Sequence, residues 1–347
     1  MEALWFALVS GMLAVYVVLD GFDFGVGILH RFVAKTDEER RTVLAAIGPV
    51  WDGNEVWLIA AGGVLFMAFP RTYATAFSGF YLALMIVLWL LILRGTAIEL
   101  RSHHDNPLWR EFWDTVFSLA SGLLTLVLGT ALGNLVRGVP LTAEGLPGMP
   151  LFTNFVPTGS VGIFDWYTAL VGLLAMAALA GHGALYLVWR TTGPVQARSR
   201  KYAEKIWRIV VVLWIAATVA TAIVRWEQFS NLLGRPWSVV FVALALGGLL
   251  GTFRFSRSGR DLAAFLASVS FLLGLMAATM AGTYPCWLRS TTDPALSLTA
   301  ENTASARYGL QIALGWWILG ISLATVYFIF LYRSMRGKVE LDSGGHY

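Results

Sequence analysis

Asp20 and Asp23 stand three residues apart, and so do Asp52 and Glu55, the second pair enclosing Asn54. Both pairs fall inside long apolar runs. Residues three apart share one face of a helix, so each pair would offer two carboxyls to a common neighbour. Carboxyls in a dry interior can take up and release protons, and burial beside an opposite charge is how such groups are tuned towards neutral pH. A charge at the bilayer centre costs roughly 2.5–3.5 kcal/mol on insertion scales. Such residues therefore face a partner, a water path or a cofactor. Two readings stand open for Asp52 and Glu55: proton-handling groups, or a structural ion pair with Arg94. For Asp20 and Asp23 the alternative is capping or pairing near the headgroups, and Arg94 and Arg101 could simply snorkel. Glu99 and Asp114 read as interfacial. Trp51 and Trp57 lie too deep for an aromatic belt and read as packing residues.

Composition says what must hold these side chains. Of 347 residues, 57% are hydrophobic and 13% charged. A soluble domain carries about 25% charge. The chain reads as a polytopic membrane protein, and its 15 Trp, 21 Phe and 11 Tyr suit interfacial belts and packed bundles. The net charge of +4 is loop bias, not a nucleic-acid footprint. The N-terminus has no basic region, and its apolar run is broken by Asp20 and Asp23, so it reads as a retained first span.

Nine spans of about 20 residues each are expected at 4–29, 44–69, 74–100, 112–136, 166–189, 206–225, 237–252, 262–283 and 308–332. The connections at 137–165 and 284–307 read as external loops. Arg71, Arg137, Arg225, Arg235, Arg289 and Arg307 fall on one side, and the other 19 of the 25 Lys and Arg on the opposite side. The positive-inside rule then places the N-terminus outside and the C-terminus in the cytoplasm, which requires an odd number of spans. Gly21/Gly25, Gly129/Gly133 and Gly247/Gly251 carry the spacing of close helix packing. With this topology Asp20, Asp23 and His182 lie in the cytoplasmic half, and Asp52 and Glu55 about 12–17 Å into the second helix. A site supplied with protons from the cytoplasm follows.

Other chemistry is poorly provided for. A membrane haem held by two histidines needs them within spans, and only His182 qualifies, itself readable as a packing residue between two glycines. His30, His103, His104 and His346 lie at ends or in loops, and the 9 Met show no matching arrangement, so the chain is expected to ligate no haem alone. The single Cys286 permits no internal disulfide. Gly25-Val26-Gly27 lacks the strand–helix context of a nucleotide loop. No nucleophile motif and no metal-ligand cluster is visible.

Asp20-Gly21-Phe22-Asp23-Phe24-Gly25-Val26-Gly27 and the run from Gly48 to Ile59, with Trp51-Asp52-Gly53-Asn54 at its heart, resemble the two signature stretches of subunit II of the cytochrome bd-type quinol oxidase. Ala76 to Tyr81, Arg94 through Arg101, and Gly133 to Pro140 extend the likeness, which is strong over the first four spans and rests on hydropathy and order thereafter.

The resemblance implies an all-α subunit of nine transmembrane helices, two four-helix bundles plus one peripheral helix: residues 1–136, 166–283 and 308–332 of a single integral membrane domain, 1–347. It implies a terminal respiratory oxidase in the bacterial or archaeal cytoplasmic membrane that oxidises quinol, reduces dioxygen and builds proton motive force. Haems b and d would sit in the partner, subunit I, with small single-helix accessory subunits and a bound quinone or lipid as further company. Carried over by position, Asp52 and Asp20 fall on the proton route, with Glu55 and Asp23 beside it. Arg94 falls near the partner's haems and Trp57 in the apolar zone of oxygen access. Glu55 stands where some relatives carry Gln. The competing readings are a proton-coupled secondary transporter, disfavoured by the odd span count and the lack of an inverted repeat, and a purely structural scaffold for a haem subunit.

Overall fold

The computed structural model describes residues 1–142, 148–157 and 159–339. His346 and six residues of the 137–165 connection are among those outside the described residues. The chain is built of helices: α1 (Glu2–Val33), α2 (Asp37–Ile47), α3 (Trp51–Ala68), α4 (Pro70–Gly79), α5 (Tyr81–Leu100), α6 (Pro107–Arg137), α7 (Trp166–Arg190), α8 (Gly193–Val224), α9 (Glu227–Leu233), α10 (Val239–Arg257), α11 (Asp261–Thr283) and α12 (Arg307–Ser334). Among the described residues eight helices are long and apolar enough to cross a membrane: α1, α5, α6, α7, α8, α10, α11 and α12.

The difference from the nine expected spans lies at the second. No helix runs continuously over 44–69. Thr36 starts α2 with a capping box to Glu39, and α2 ends at Ile47. Pro49, which has no N–H to donate, follows at once. A fresh helix, α3, begins at Trp51, so its first turn carries the polar run Trp51 to Glu55 and dilutes its hydropathy. The expected third span is divided as well, because α4 starts with Pro70 at its first turn and ends one residue before α5. In the other direction, α8 begins 13 residues before the expected 206. Its basic stretch from Arg198 to Arg208 continues the apolar helix instead of forming a loop, since Arg and Lys are good helix formers. The connection 284–307 is not purely irregular: β1 (Cys286–Leu288) pairs antiparallel with β2 (Leu298–Thr299).

α1 runs through the middle, packed on α3, α6, α7 and α11, while α7 also packs on α6, α8 and α11, and α10 lies along α11. Aromatic rings fill the centre. Phe22 stacks on Tyr186 with centroids 4.1 Å apart, and His182 stacks on Phe265 at 4.9 Å. The α1–α7 crossing is backbone on backbone: a Cβ on Gly25 would collide with the Leu179 carbonyl and with Gly183. Gly129 makes a similar approach to Gly172. At the α10–α11 crossing Gly251 does meet α11, its added Cβ running into Ala267, and so does Gly248, whose added Cβ would strike the Phe271 backbone; Gly247, named from its spacing, faces open space. A spacing rule gives the period and not the phase, and the phase is set by which face meets α11.

α12 stands apart. None of its most apolar 18-residue window is buried within the chain. Its start is tied down: Trp5 Nε1 donates to the Leu310 carbonyl at 3.3 Å, and Ser305 Oγ, just ahead of α12, to the Met67 carbonyl at 2.6 Å.

Candidate functional site

α5 carries Arg94 to the side of α1 and α3, and its side chain is sealed from solvent. Nη1 donates to Asp20 Oδ1 at 2.6 Å, and Nη2 donates to Glu55 Oε2 at 2.8 Å. The guanidinium also lies 4.4 Å from the centre of the Phe24 ring. One cation thus ties together α1, α3 and α5. A guanidinium suits this task because it stays charged, is weakly hydrated and presents several donors in a fixed plane. Arg94 therefore does not snorkel. Asp20 is fully buried, whereas 19% of the Glu55 side chain remains exposed. The cluster is dry at its centre and open at Glu55.

One turn along α1, Asp23 has a neutral partner. Asn54 Nδ2 donates to Asp23 Oδ2 at 2.8 Å, and the Tyr332 hydroxyl donates to Asn54 Oδ1 at 3.0 Å. Four buried polar atoms here find no hydrogen-bond partner among the described residues: Asp20 Oδ2, Asp23 Oδ1, Arg94 Nε and the Tyr16 hydroxyl. Buried polar atoms are satisfied as a rule, and free carboxyl oxygens on one helix face are the atoms a proton path would use.

The sequence-derived residues are only partly brought together. Asp20, Glu55 and Arg94 touch, and Asp23 joins through Asn54, a residue that reasoning from charge passed over. Asp52 does not join. It lies in the first turn of α3, exposed on this chain, so the expected balance between burial and a neighbouring Arg94 is not its situation. A span starting at 44 would bury it two turns deep, but the break between Ile47 and Trp51 puts it at a helix start. A helix N-terminus is a favourable seat for a carboxylate in any case. Trp57 is half-buried, its ring 5.7 Å from Phe328 of α12, and Trp51 packs over Gly95.

Other buried polar groups lie elsewhere in the chain. Asp114, expected at an interface, is buried and accepts from His30 Nε2, taken as its protonated nitrogen, and from Arg101 Nε, each at 2.6 Å, and from Arg40 at 2.8 Å. Arg101 is likewise buried and does not snorkel; its Nη2 donates to Asp37 at 2.8 Å. These residues stand at the ends of α1, α2, α5 and α6, where hydropathy reads loops, and only their opposite charges hinted at pairing. At the far end of α6, Arg137 pairs with Asp165, the residue capping α7. His182 commits both ring nitrogens within the chain, to Ser268 at 2.7 Å and to the Val18 carbonyl at 3.1 Å. Among the described residues no three His, Cys, Asp or Glu group as metal ligands would. Beside Tyr16 and Phe24 lies an apolar cavity of about 270 Å³ between α1, α6, α7 and α11.

The profile of the cytochrome bd terminal oxidase subunit II family matches residues 1–335. The chain belongs to that family. It is a subunit of a terminal oxidase of the cytochrome bd type and a multi-pass membrane protein. The subunit is 31% identical to the probable cytochrome oxidase subunit 2 of Haemophilus influenzae, over 98% of its own length and 95% of that protein's. It is 33% identical to the cytochrome bd ubiquinol oxidase subunit 2 of Bacillus subtilis, over 89% and 88%. Its match to the cytochrome bd-I ubiquinol oxidase subunit 2 of Escherichia coli is 38% over 62% of this chain and 56% of that one. The subunit is similar in fold to a chain of the bd oxidase from Geobacillus thermodenitrificans, with a TM-score of 0.73 at 19% identity, covering 96% of this chain and 97% of that one.

Proposed function

We propose that this chain is the haem-free subunit of a quinol:oxygen oxidoreductase, and that Asp52, at the exposed start of α3, and the Arg94-centred acids together deliver protons from the cytoplasm to a haem-bearing partner. The observation that carries the reading is the buried Arg94 holding Asp20 and Glu55 with Asp23 one turn away. Oxygen reduction in a dry membrane consumes protons, and the partner's haems b and d supply the electron chemistry. This chain's part is to hold and pass protons. Asp20 and Glu55 share one cation, so a proton added to either is compensated by the other's hold on Arg94. Glu55 and Asp52 lie on the exposed side of α3, next to the otherwise bare α12, and that face is where we seat the haem subunit. Taking protons from one side only is electrogenic without a pump.

The same reading completes the topology. α3 with α4 serves as the ninth span, giving two four-helix bundles, α12 at the periphery and a cytoplasmic C-terminus in a bacterial or archaeal inner membrane. The apolar cavity suits a prenyl or acyl chain of a bound quinone or lipid better than a polar solute, which weighs against a transporter. Trp57 beside α12 stays on the route of oxygen access. Single-helix accessory subunits have membrane-facing surface available on α8 and α10.

The test is quinol-driven oxygen consumption and proton uptake by the assembled oxidase carrying Asp20→Asn or Asp52→Asn. The reading expects both rates to fall while the haem spectrum is kept. Unchanged turnover with normal assembly would sink it, and loss of the haems would make the acids structural.

A further inference from the structure

The contacts of Tyr332 are unused by the reading above, on which this inference rests. Tyr332 sits near the end of α12, and its hydroxyl is the only donor, among the described residues, to the carbonyl of the Asn54 amide. That bond fixes which way the amide faces. The NH₂ group is thereby turned onto Asp23 Oδ2, leaving Oδ1 as the free oxygen of a carboxyl that is 1% exposed. Asp20 Oδ2, on the same face of α1, is the next free carboxyl oxygen. Asn54 cannot hand on a proton without becoming an imidic acid, so its place between the two is one of orientation.

A second feature holds Tyr332 in place. Past α12 the chain lies against the end of α7: the Val339 amide donates to the Arg190 carbonyl at 2.8 Å, Lys338 Nζ donates to the Val188 carbonyl at 3.0 Å, and Arg190 reaches back to the Gly337 carbonyl. Under this latch Tyr332, Tyr186, Arg190, Pro49 and Met335 wall a crevice of about 10 Å³, room for one water molecule with hydroxyls to meet.

We propose that Tyr332, acting through Asn54, is the positioning residue that sets the Asp23 carboxyl for proton exchange with Asp20, making the C-terminal helix part of the proton-loading site. In the step, a proton leaves Asp23 Oδ1 and arrives at Asp20 Oδ2, with no change in electron count. The charged and titratable groups around it are Tyr16, Asp20, Glu55 and Arg94 on one side and Tyr186, Arg190 and Tyr332 on the other.

The assembled oxidase carrying Tyr332→Phe, Asn54→Ser or Asp23→Asn tests this, with haem content from the visible spectrum, oxygen consumption across pH, and proton uptake by an indicator dye. We expect Tyr332→Phe and Asn54→Ser to keep their haems, to lose roughly 3- to 10-fold in proton uptake, the scale of one hydrogen bond, and to shift the pH profile as Asp23→Asn does. If Asp23→Asn is slow and Tyr332→Phe keeps the parent rate and profile, the positioning role is refuted and proton delivery stands. If Asp23→Asn is also unaffected, Asp23 carries no protons and this inference falls with that part of the reading. If both Tyr332→Phe and Asn54→Ser lose their haems, the pair only packs α12 in place and the proposal is overturned.

Discussion

Arg94 and Asp20 meet at 2.6 Å with neither side chain exposed to solvent. Removing one member of a buried pair strands the other, which typically costs about 3–5 kcal/mol. Arg94→Leu should therefore prevent stable assembly, whereas Arg94→Lys, which keeps charge without the planar fork, should assemble with a lower melting temperature. Thermal unfolding of the detergent-solubilised oxidase, followed by its haem spectrum, checks the order of the three proteins.

The α1–α7 crossing gives a prediction with an internal control. Gly25→Ala puts a methyl group into the α7 backbone, and overpacking of this kind costs about 1–3 kcal/mol. Gly11 lies on the same helix with nothing within 4 Å of an added Cβ. Gly11→Ala should be silent in yield and melting temperature, and Gly25→Ala should lower both.

Asp165 caps α7 outside the apolar span and predicts an acid sensitivity. Burial pushes its carboxyl up, but the Thr168 amide, the Arg137 guanidinium and the Gly162 amide outweigh that and hold it below the usual carboxylate range. A depressed folded value means the stabilisation is full above the unfolded value, about 3.9, and is lost as pH falls through the folded one. Amide hydrogen exchange in the first turn of α7 should thus quicken in acid below that point in the parent protein. In Asp165→Asn, which cannot titrate, the turn should exchange faster at neutral pH and show no such step.

α12 predicts a partner surface. Trp316 is 71% exposed and Leu323 64% in this chain alone, with no covering helix. Trp316→Ala with Leu323→Ala should reduce the haem that co-purifies with the subunit, while Val212→Ala with Ile215→Ala, on the exposed face of α8, should not. Equal retention in both double variants would move the partner elsewhere.

How far the sequence could be read depended on what each signal measures. Hydropathy locates apolar length, so eight of the nine spans, all but 44–69, emerged near α1, α5, α6, α7, α8, α10, α11 and α12. It is blind to a helix end inside an apolar run, so the stop at Ile47 and restart at Trp51 were missed although Gly48-Pro49 marks the place. A span starting at 44 puts Asp52 in an interior turn, whereas it stands at a helix start. Charge counting found Asp20, Asp23, Glu55 and Arg94, since an acid in a span needs a reason. It passed over Asn54 and Tyr332, which are uncharged and 278 residues apart. It also passed over His30 and Asp114, because residues at span ends look solvated until the fold folds them inward.

The latch between α7 and the segment after α12 bears on how the subunit is made. α12 is the last of the described helices to leave the ribosome, and Tyr332 lies two residues before its final residue. Every other member of the acid cluster is already inserted by the time α6 is complete. The Asp23 amide clamp cannot close until synthesis has reached Tyr332 and the latch has found Arg190, so a truncated or half-inserted chain carries its acids without the contact that orients them.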